Sequence, residues 1–301
     1  MPPNDRPRSG GLYAQIGLSQ PGASTLSTVL RLQDVSCARH GRTVVNGVSL
    51  SVEAGQVTLL RGGRGAGKST LLAIAAAVIR PGAGRVFIAG RDILGLQSSS
   101  LPFVRRNVGY LPPEPPLVND ESAIENVMMA LAVRGEAIGN ARVLAMASLR
   151  AVGLPESAAE LDVSELSWGE RRLVAVARAM VGSPPLIVLD EPAAGLDADD
   201  REAVAMAMGV AQSCGSAVIC GSADPSFATL LAEAGAQIVE LEGGRLVGGP
   251  RMTVLRGLRA TPAPAPGVIS TVDADIDEEL DDDDLTQEVD ESQELASEST
   301  P

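Results

Sequence analysis

Residues 62–69 form a glycine-rich run that ends in a lysine and a hydroxyl side chain, Gly-Gly-Arg-Gly-Ala-Gly-Lys-Ser. Glycines let successive backbone N–H groups turn towards one point, which creates a concave site for an anion. The lysine of such a run can reach the outer phosphates of a nucleotide, and the hydroxyl can ligate Mg²⁺. The pattern predicts a phosphate-binding loop with these contact residues: Gly62, Gly63, Arg64, Gly65, Ala66, Gly67, Lys68, Ser69 and Thr70.

Lys68 is the one lysine of the chain, which otherwise has 23 arginines as its basic residues. Lysine presents a compact point charge on a flexible stem, whereas arginine presents a planar fork. The simpler interpretation is that this lysine occurs by chance in a chain with a strong preference for arginine. Its position at the end of the glycine-rich run favours a role in phosphate binding instead.

Two carboxylates, Asp190 and Glu191, directly follow the apolar run 186–189. In an open α/β sheet, ligands bind at the carboxyl ends of the strands. The interpretation is that Asp190 joins Ser69 in holding Mg²⁺, and that Glu191 orients or deprotonates an attacking water. The alternative, in which both acids only cap the next helix, is disfavoured by the phosphate loop.

Short buried-strand patterns alternate with helices along the middle of the chain. We expect strands over 56–60, 186–189, 217–220 and 237–241, and a helix over 69–79. Strands that alternate with helices predict an α/β fold with a mostly parallel sheet covered on both faces. Residues 121–182 contain no convincing strand and predict a helical insertion.

The charge of the chain is concentrated at one end. Residues 268–301 contain 14 acids and no base, so the remaining 24 acids and 24 bases balance within a net charge of −14. A neutral folded part excludes the basic surface typical of nucleic-acid binders. We expect a disordered leader over 1–27, a folded domain over 28–258, and a disordered Pro/Ala linker with an acidic tail over 259–301. The tail either solubilises the protein or docks on a partner.

The three cysteines have no metal-ligand spacing and predict neither a disulfide framework nor a zinc site. We see no signal peptide or membrane span and therefore expect a soluble, cytoplasmic protein.

Two further motifs narrow the interpretation. Residues 166–170, Leu-Ser-Trp-Gly-Glu, resemble the LSGGQ signature of ABC transporter ATP-binding subunits, and residues 194–197, Ala-Gly-Leu-Asp, resemble their D-loop. With the phosphate loop (Walker A) and the acidic pair (Walker B), four motifs occur in the family's order. The resemblance covers about residues 28–250.

The resemblance implies a P-loop NTPase core of the ABC ATPase type with a helical subdomain at about 115–182. It also implies ATPase activity with Mg²⁺, and a homo- or heterodimer of two such subunits arranged head to tail. By position, Ser167 and Gly169 would contact the γ-phosphate of the opposite subunit, and Asp197 would lie at the interface. A separate membrane permease would be the partner, which would place the protein peripherally on the inner face of the cell membrane.

Several positions depart from the family pattern. Ala223 stands where the family has a switch histidine, and Pro113 where it has a glutamine. The stretch that matches the family's adenine-stacking position, residues 36–41, contains no aromatic residue except His40. Arg39 by its guanidinium plane, or His40 by its ring, would therefore stack on adenine. Trp168 replaces the commonest signature glycine. ATP binding is expected to survive, whereas Glu191 has lost supporting groups and hydrolysis is expected to be slow.

Two functions remain open on these residues. The leading one is the ATP-binding subunit of a transporter, and residues 125–135 with 151–154 loosely resemble the lipoprotein-release and macrolide-efflux branch. The alternative is a regulatory or interaction protein that binds ATP with little hydrolysis. A soluble ATPase of DNA repair or translation is disfavoured, because the chain has a neutral folded part and no second cassette.

Overall fold

The computed structural model describes residues 27–136 and 138–251, without the side chains of residues 138 and 248–251. The predicted leader up to residue 26 and the predicted linker and acidic tail lie outside the described residues. The domain boundaries stay predictions.

The described residues form ten strands and seven α-helices, besides three short 3₁₀ turns. The strands are β1 (Thr28–Arg39), β2 (Arg42–Glu53), β3 (Val57–Arg61), β4 (Ala83–Ile88), β5 (Arg91–Asp92), β6 (Val108–Leu111), β7 (Leu186–Asp190), β8 (Ala217–Ser222), β9 (Gln237–Glu242) and β10 (Arg245–Arg251). The helices are α1 (Lys68–Ala75), α2 (Leu101–Arg105), α3 (Ala123–Arg134), α4 (Ile138–Ala151), α5 (Trp168–Met180), α6 (Ala198–Ser213) and α7 (Pro225–Glu233).

A six-stranded sheet carries the site, with the strand order β10-β9-β3-β8-β7-β6. Its strands run parallel except for β10, which pairs with β9 in the antiparallel sense. Every residue of β7 is buried, because Ile187 and Leu189 face the helices α3–α7 while Leu186 and Val188 face α1. The predicted α/β fold with a mostly parallel, doubly covered sheet is confirmed.

A second sheet, entirely antiparallel, was not anticipated from the sequence. Its order is β2-β1-β4-β5. Buried residues of β1, such as Leu30 and Leu32, pack into one cluster with Leu71 and Ile74 of α1. Helix α1 therefore lies between the two sheets. This packing holds the phosphate loop that precedes α1 from both sides.

Helix α1 ends four residues earlier than predicted. The apolar pattern predicts a helix up to residue 79, whereas the last helical residue is Ala75. Ala77 has a left-handed backbone with φ of 57°, and the N–H groups of Val78 and Ile79 both donate to the carbonyl of Ala73, at 2.9 and 3.1 Å. The chain thus leaves the helix through a wide turn ahead of Pro81. The predicted strand ends differ from the observed ones by one or two residues.

Helices α3, α4 and α5 lie in the stretch that was predicted to be helical. They pack on each other through residues such as Ile124, Leu149 and Val174. Helices α3 and α5 both begin at a serine that forms a capping box with a glutamate three residues later, and this arrangement satisfies N–H groups at the helix start. None of the helices described here combines the length and the apolar character that crossing a bilayer requires.

Candidate functional site

The glycine-rich loop connects β3 to α1 and packs tightly on its inner side. A Cβ at Gly62 would lie 2.4 Å from the carbonyl oxygen of Leu241, and one at Gly67 would lie 2.5 Å from that of Val44. Gly67 also has φ of 104°, which disfavours any side chain. On the outer side a Cβ at Gly63 or Gly65 would meet no atom within 4 Å. The loop thus leaves open space where a phosphate would approach.

Lys68 lies under this loop and is only 6% exposed. Its Nζ donates to the carbonyl oxygens of Gly62 and Gly63, at 2.8 and 3.3 Å. The same Nζ lies 3.4 Å from Oε1 of Glu191. Three acceptors therefore orient the ammonium group towards the loop, and one of them is a carboxylate that an incoming phosphate would replace.

Asp190 ends β7 and is fully buried. Among the described residues, neither of its carboxylate oxygens has a hydrogen-bond partner. Burial, together with the nearby charge of Glu191, raises the pKa of Asp190 above its ordinary value. The adjacent Ser69 hydroxyl, which makes no well-formed hydrogen bond with Asp190, and the charges of Lys68 and Arg172 act to lower it. A buried carboxylate without a partner, next to a hydroxyl, provides the oxygen ligands that Mg²⁺ prefers. Asp190 and Ser69 therefore fit the predicted metal site.

Glu191 turns sharply out of the strand, with a left-handed φ of 50°. Its Oε2 accepts hydrogen bonds from the Ser222 hydroxyl and from the backbone N–H of Ala223, both at 3.2 Å. A hydroxyl and a main-chain N–H therefore hold the carboxylate of Glu191, although Ala223 itself has no side-chain donor. Sequence reasoning missed Ser222, although a hydroxyl at the end of the apolar run 217–220 was a signal for it.

Arg172 is a second site residue that the sequence analysis missed. This residue is only 3% exposed. Its Nη1 donates to the carbonyl of Pro113 at 2.8 Å. Its Nη2 donates to the carbonyl of Asp190 at 2.6 Å and also to that of Glu191. Burial lowers the pKa of Arg172, and the two nearby carboxylates oppose this shift. A basic residue directly before the apolar run 173–177 was the available signal. Arg172 joins the Pro113 loop and the end of β7 to helix α5.

The signature and D-loop residues lie at helix ends. The hydroxyl of Ser167 accepts from the N–H of Glu170 at 3.2 Å and so caps α5, and Asp197 caps α6 by accepting from the N–H of Asp200 at 2.9 Å. Gly169 is partly exposed in the first turn of α5. Among the described residues, no hydrogen bond joins these positions to the phosphate loop.

Arg39 lies at the tip of the β1–β2 hairpin, where it pairs with Arg42. The carbonyl of Val44, two residues further along β2, packs against Gly67 of the phosphate loop. The hairpin tip thus projects from a strand that contacts the loop. Arg39 and His40 are both exposed at this tip.

Comparison with known proteins points to one family. Residues 45–194 match the family described as "ABC transporter". The chain is 35% identical over 170 residues to the cell division ATP-binding protein FtsE of Escherichia coli (strain K12), covering 56% of this chain and 76% of that protein. It is 36% identical over 206 residues to the lipoprotein-releasing system ATP-binding protein LolD of Chromohalobacter salexigens, covering 68% and 85%.

Solved structures give the same result for the fold. A dimeric, post-hydrolysis structure of the ATP-binding cassette MJ0796 bound to ADP and Pi aligns with a TM-score of 0.68 and 26% identity. The alignment covers 76% of this chain and 100% of that one. A second dimeric structure of the same cassette aligns with a TM-score of 0.67.

Proposed function

This chain belongs to the ABC transporter family and is an ATP-binding subunit with an ATPase fold; from that premise we propose that it binds Mg-ATP at a dimer interface and drives a separate permease. The observation that carries the proposal is the group formed by Lys68, Asp190 and Glu191 around an open glycine loop. A lysine ammonium, an unpartnered buried carboxylate and an oriented second carboxylate are the groups that phosphate binding, Mg²⁺ binding and water activation require.

ATP binding follows from the phosphate loop. Lys68 already donates to two loop carbonyls, and a bound γ-phosphate would take the place of the Glu191 carboxylate beside it. Ser69 and Asp190 would hold Mg²⁺, which neutralises charge on the phosphates. Glu191 would give up only its contact with Lys68, while its Oε2 keeps the hydrogen bonds to Ser222 and Ala223. We propose that Glu191 orients the attacking water from that position.

We propose that hydrolysis is slow. The methyl group of Ala223 donates no hydrogen bond, and the side chain of Pro113 offers no ligand for metal or water. Loss of one positioned donor commonly costs about 10²–10³ in rate. The Ser222 hydroxyl and the Ala223 N–H orient Glu191 but do not replace a donor to the γ-phosphate itself.

The dimer would complete each site. Ser167 and Gly169 at the start of α5 would contact the nucleotide of the partner subunit, and Asp197 would lie between the two sites. Support comes from the helix-end positions of these residues and from the similar cassette that was solved as a dimer bound to ADP and Pi.

The place of action is a further part of the proposal. FtsE and LolD carry names that refer to cell division and to lipoprotein release. By analogy with such ATP-binding subunits, this chain would act at the inner face of the membrane beneath its permease.

A second candidate rests on the same substitutions. With Ala223 and Pro113 at two catalytic positions, the chain would bind ATP and release it with little hydrolysis. ATP-dependent dimers would then gate the binding of a soluble partner. A stable complex with a membrane permease supports the transporter subunit, whereas nucleotide-gated capture of a soluble partner without a permease supports this candidate.

The deciding experiment measures Mg-ATP turnover of the full chain beside the variants Lys68→Ala and Ala223→His, with Arg142→Ala on the distant helix α4 as the control for loss of a basic side chain. We expect turnover below about 1 s⁻¹, the lower end of typical enzymes. Lys68→Ala should abolish this turnover, and Ala223→His should raise it about tenfold or more.

Three outcomes decide between the alternatives. Turnover that survives Lys68→Ala contradicts the proposed site, and wild-type turnover well above about 1 s⁻¹ contradicts slow hydrolysis. ATP binding without turnover, even with Ala223→His, favours the second candidate.

A further inference from the structure

Two side chains of helix α5 contact the turn that joins β7 to α6, residues 190–197. Trp168 and Arg172 are four residues apart on α5, so they lie one above the other on the same face of the helix. Arg172 contacts the beginning of the turn and Trp168 contacts its far part. The turn carries both Glu191 and Asp197.

The contact at the beginning of the turn is polar. One Nη of Arg172 donates to the carbonyl oxygens of Asp190 and Glu191. The bond to Asp190 is buried, and a buried carbonyl group without a donor costs free energy. The carbonyl of Glu191 also accepts from the N–H of Ala194. Arg172 therefore fixes the main chain on both sides of the bond between the two acidic residues.

The contact at the far part of the turn is steric. A Cβ at Gly195 would lie 2.3, 2.8 and 3.0 Å from three ring carbons of Trp168, so the indole packs directly over the glycine backbone. Gly195 also has φ of 70°, which a side chain would strain. Position 195 thus requires glycine for two independent reasons. The indole is nevertheless 59% exposed, which leaves much of its surface free for another molecule.

The turn is held together by two internal hydrogen bonds and one buried side chain. The N–H of Ala194 donates to the carbonyl of Glu191 at 3.1 Å, and the N–H of Leu196 donates to the carbonyl of Ala193 at 3.3 Å. Leu196 is buried, and its side chain would lie 3.8 Å from a Cβ at Gly169. Gly195 therefore lies between two residues whose N–H groups bond back within the turn, and the first of these bonds ends at Glu191.

We propose that Trp168 and Arg172 are positioning residues that clamp the 190–197 turn onto α5 and thereby set the place of Glu191. One consequence rests on the function proposed above. Closure of the dimer would press the exposed side of the Trp168 indole against the partner subunit. The signature of each subunit would contact the partner's nucleotide, whereas its Glu191 would serve the nucleotide of its own subunit. Through Trp168, nucleotide bound at one site would therefore adjust Glu191 at the other site.

Amide hydrogen exchange of the nucleotide-free full chain tests the clamp. Trp168→Ala should accelerate exchange in residues 191–197 about tenfold, because local opening becomes easier. Trp168→Phe restores an aromatic ring and should keep exchange near the wild-type rate. Met206→Ala removes another exposed large side chain, on α6, and serves as the control. Unchanged exchange in Trp168→Ala overturns the proposal, as does equal acceleration in Trp168→Phe.

A second variant tests the steric contact from the opposite side. Trp168 is the one tryptophan of the chain, so its fluorescence reports on the indole alone. Gly195→Ala should raise acrylamide quenching and shift the emission to the red. Gly209→Ala, where a Cβ meets no atom within 4 Å, should change neither. Gly195→Ala without any change in the fluorescence contradicts the packing.

A double-mutant cycle separates the contact from backbone strain. Gly195→Ala lowers the urea midpoint through both a clash and its positive φ, whereas in the Trp168→Ala background the strain alone remains. We therefore expect the shift of the midpoint to fall to about half or less in that background. Equal shifts overturn the clamp. All three readouts use the protein without nucleotide, so a failure of the proposed ATPase activity leaves them interpretable.

Discussion

Lys68, Arg172 and Asp190 are the charged side chains that are buried among the residues the structure describes, and all three lie at one site. Lys68 and Arg172 are stabilised by backbone carbonyls. The carboxylate oxygens of Asp190, by contrast, accept no hydrogen bond from the described residues. A buried charge without a partner costs free energy, and proteins tolerate this cost at sites that serve function. The unpaired carboxylate is therefore the strongest residue-level sign that a cation belongs there.

Asp190→Asn should stabilise the nucleotide-free protein. Because burial raises the pKa of Asp190 in the folded state, the folded chain binds its proton more tightly than the unfolded chain. The unfolding free energy therefore falls as the pH rises from the ordinary carboxyl range through the raised pKa. The variant should lose this slope and gain about 1–2 kcal/mol at neutral pH.

Urea unfolding at pH 5 and pH 7.5 checks this difference between wild type and variant. The variant should also lose the extra stability that Mg²⁺ adds to the ATP-bound protein, because an amide oxygen without charge binds the ion weakly. A variant that is less stable than wild type at neutral pH would show that Asp190 is already compensated.

Ser222→Ala removes a hydrogen bond to the Glu191 carboxylate and should lower kcat with little change in KM for ATP. A hydrogen bond to a charged group contributes about 1.5–3 kcal/mol, which corresponds to roughly a 10- to 100-fold loss of rate. Ser213→Ala is a matched control, since it removes a serine hydroxyl that donates to the carbonyl of Gly209 within α6. Steady-state kinetics of both variants make the comparison, and a pure increase in KM would assign Ser222 to nucleotide binding.

Helix α5 combines several roles on different faces. Leu173 and Val174 pack into the core, Arg172 and Trp168 contact the 190–197 turn, and Ser167 begins the helix. A rotation of this helix would therefore change the signature and the turn together. The element, rather than any single residue, connects the two halves of the proposed composite site.

The N-caps of α3 and α5 allow a matched experiment at the scale of the helix. Ser122→Ala and Ser167→Ala each remove a serine from a capping box with glutamate and should each cost about 1 kcal/mol of unfolding free energy. Only Ser167→Ala should also weaken ATP-dependent dimerisation, because Ser167 lies in the signature. Urea unfolding and sedimentation with Mg-ATP measure the two effects. Equal loss of dimers in both variants would assign the effect to stability alone.

At the scale of the molecule, Glu191→Gln should accumulate a dimer in the presence of Mg-ATP. The amide cannot accept the proton of an attacking water, and it no longer forms an ion pair with Lys68, which lies 3.4 Å away in the nucleotide-free structure. Both effects favour the ATP-bound state. Analytical ultracentrifugation with ATP, and with ADP as the control, measures the dimer. A monomer that still binds ATP would mean that closure itself has been lost.

The sequence by itself determined the phosphate loop, the acidic pair and the parallel sheet. These features depend on local order: glycines before a helix, apolar runs of strand length, and acids directly after a strand. It also placed the helical stretch, since helices depend on neighbours three and four residues away. The end of α1 was wrong, because the left-handed Ala77 is not encoded in a simple apolar period.

Only the tertiary structure decided which groups support Glu191 and what Trp168 contacts. Ser222 reaches Glu191 across two neighbouring strands, Arg172 reaches Pro113 from a helix 59 residues along the chain, and Trp168 packs on Gly195. Such contacts depend on how distant segments pack, which no local pattern specifies. The antiparallel sheet was missed for the same reason. Its strands can be recognised only from the strands with which they pair and from their packing on α1.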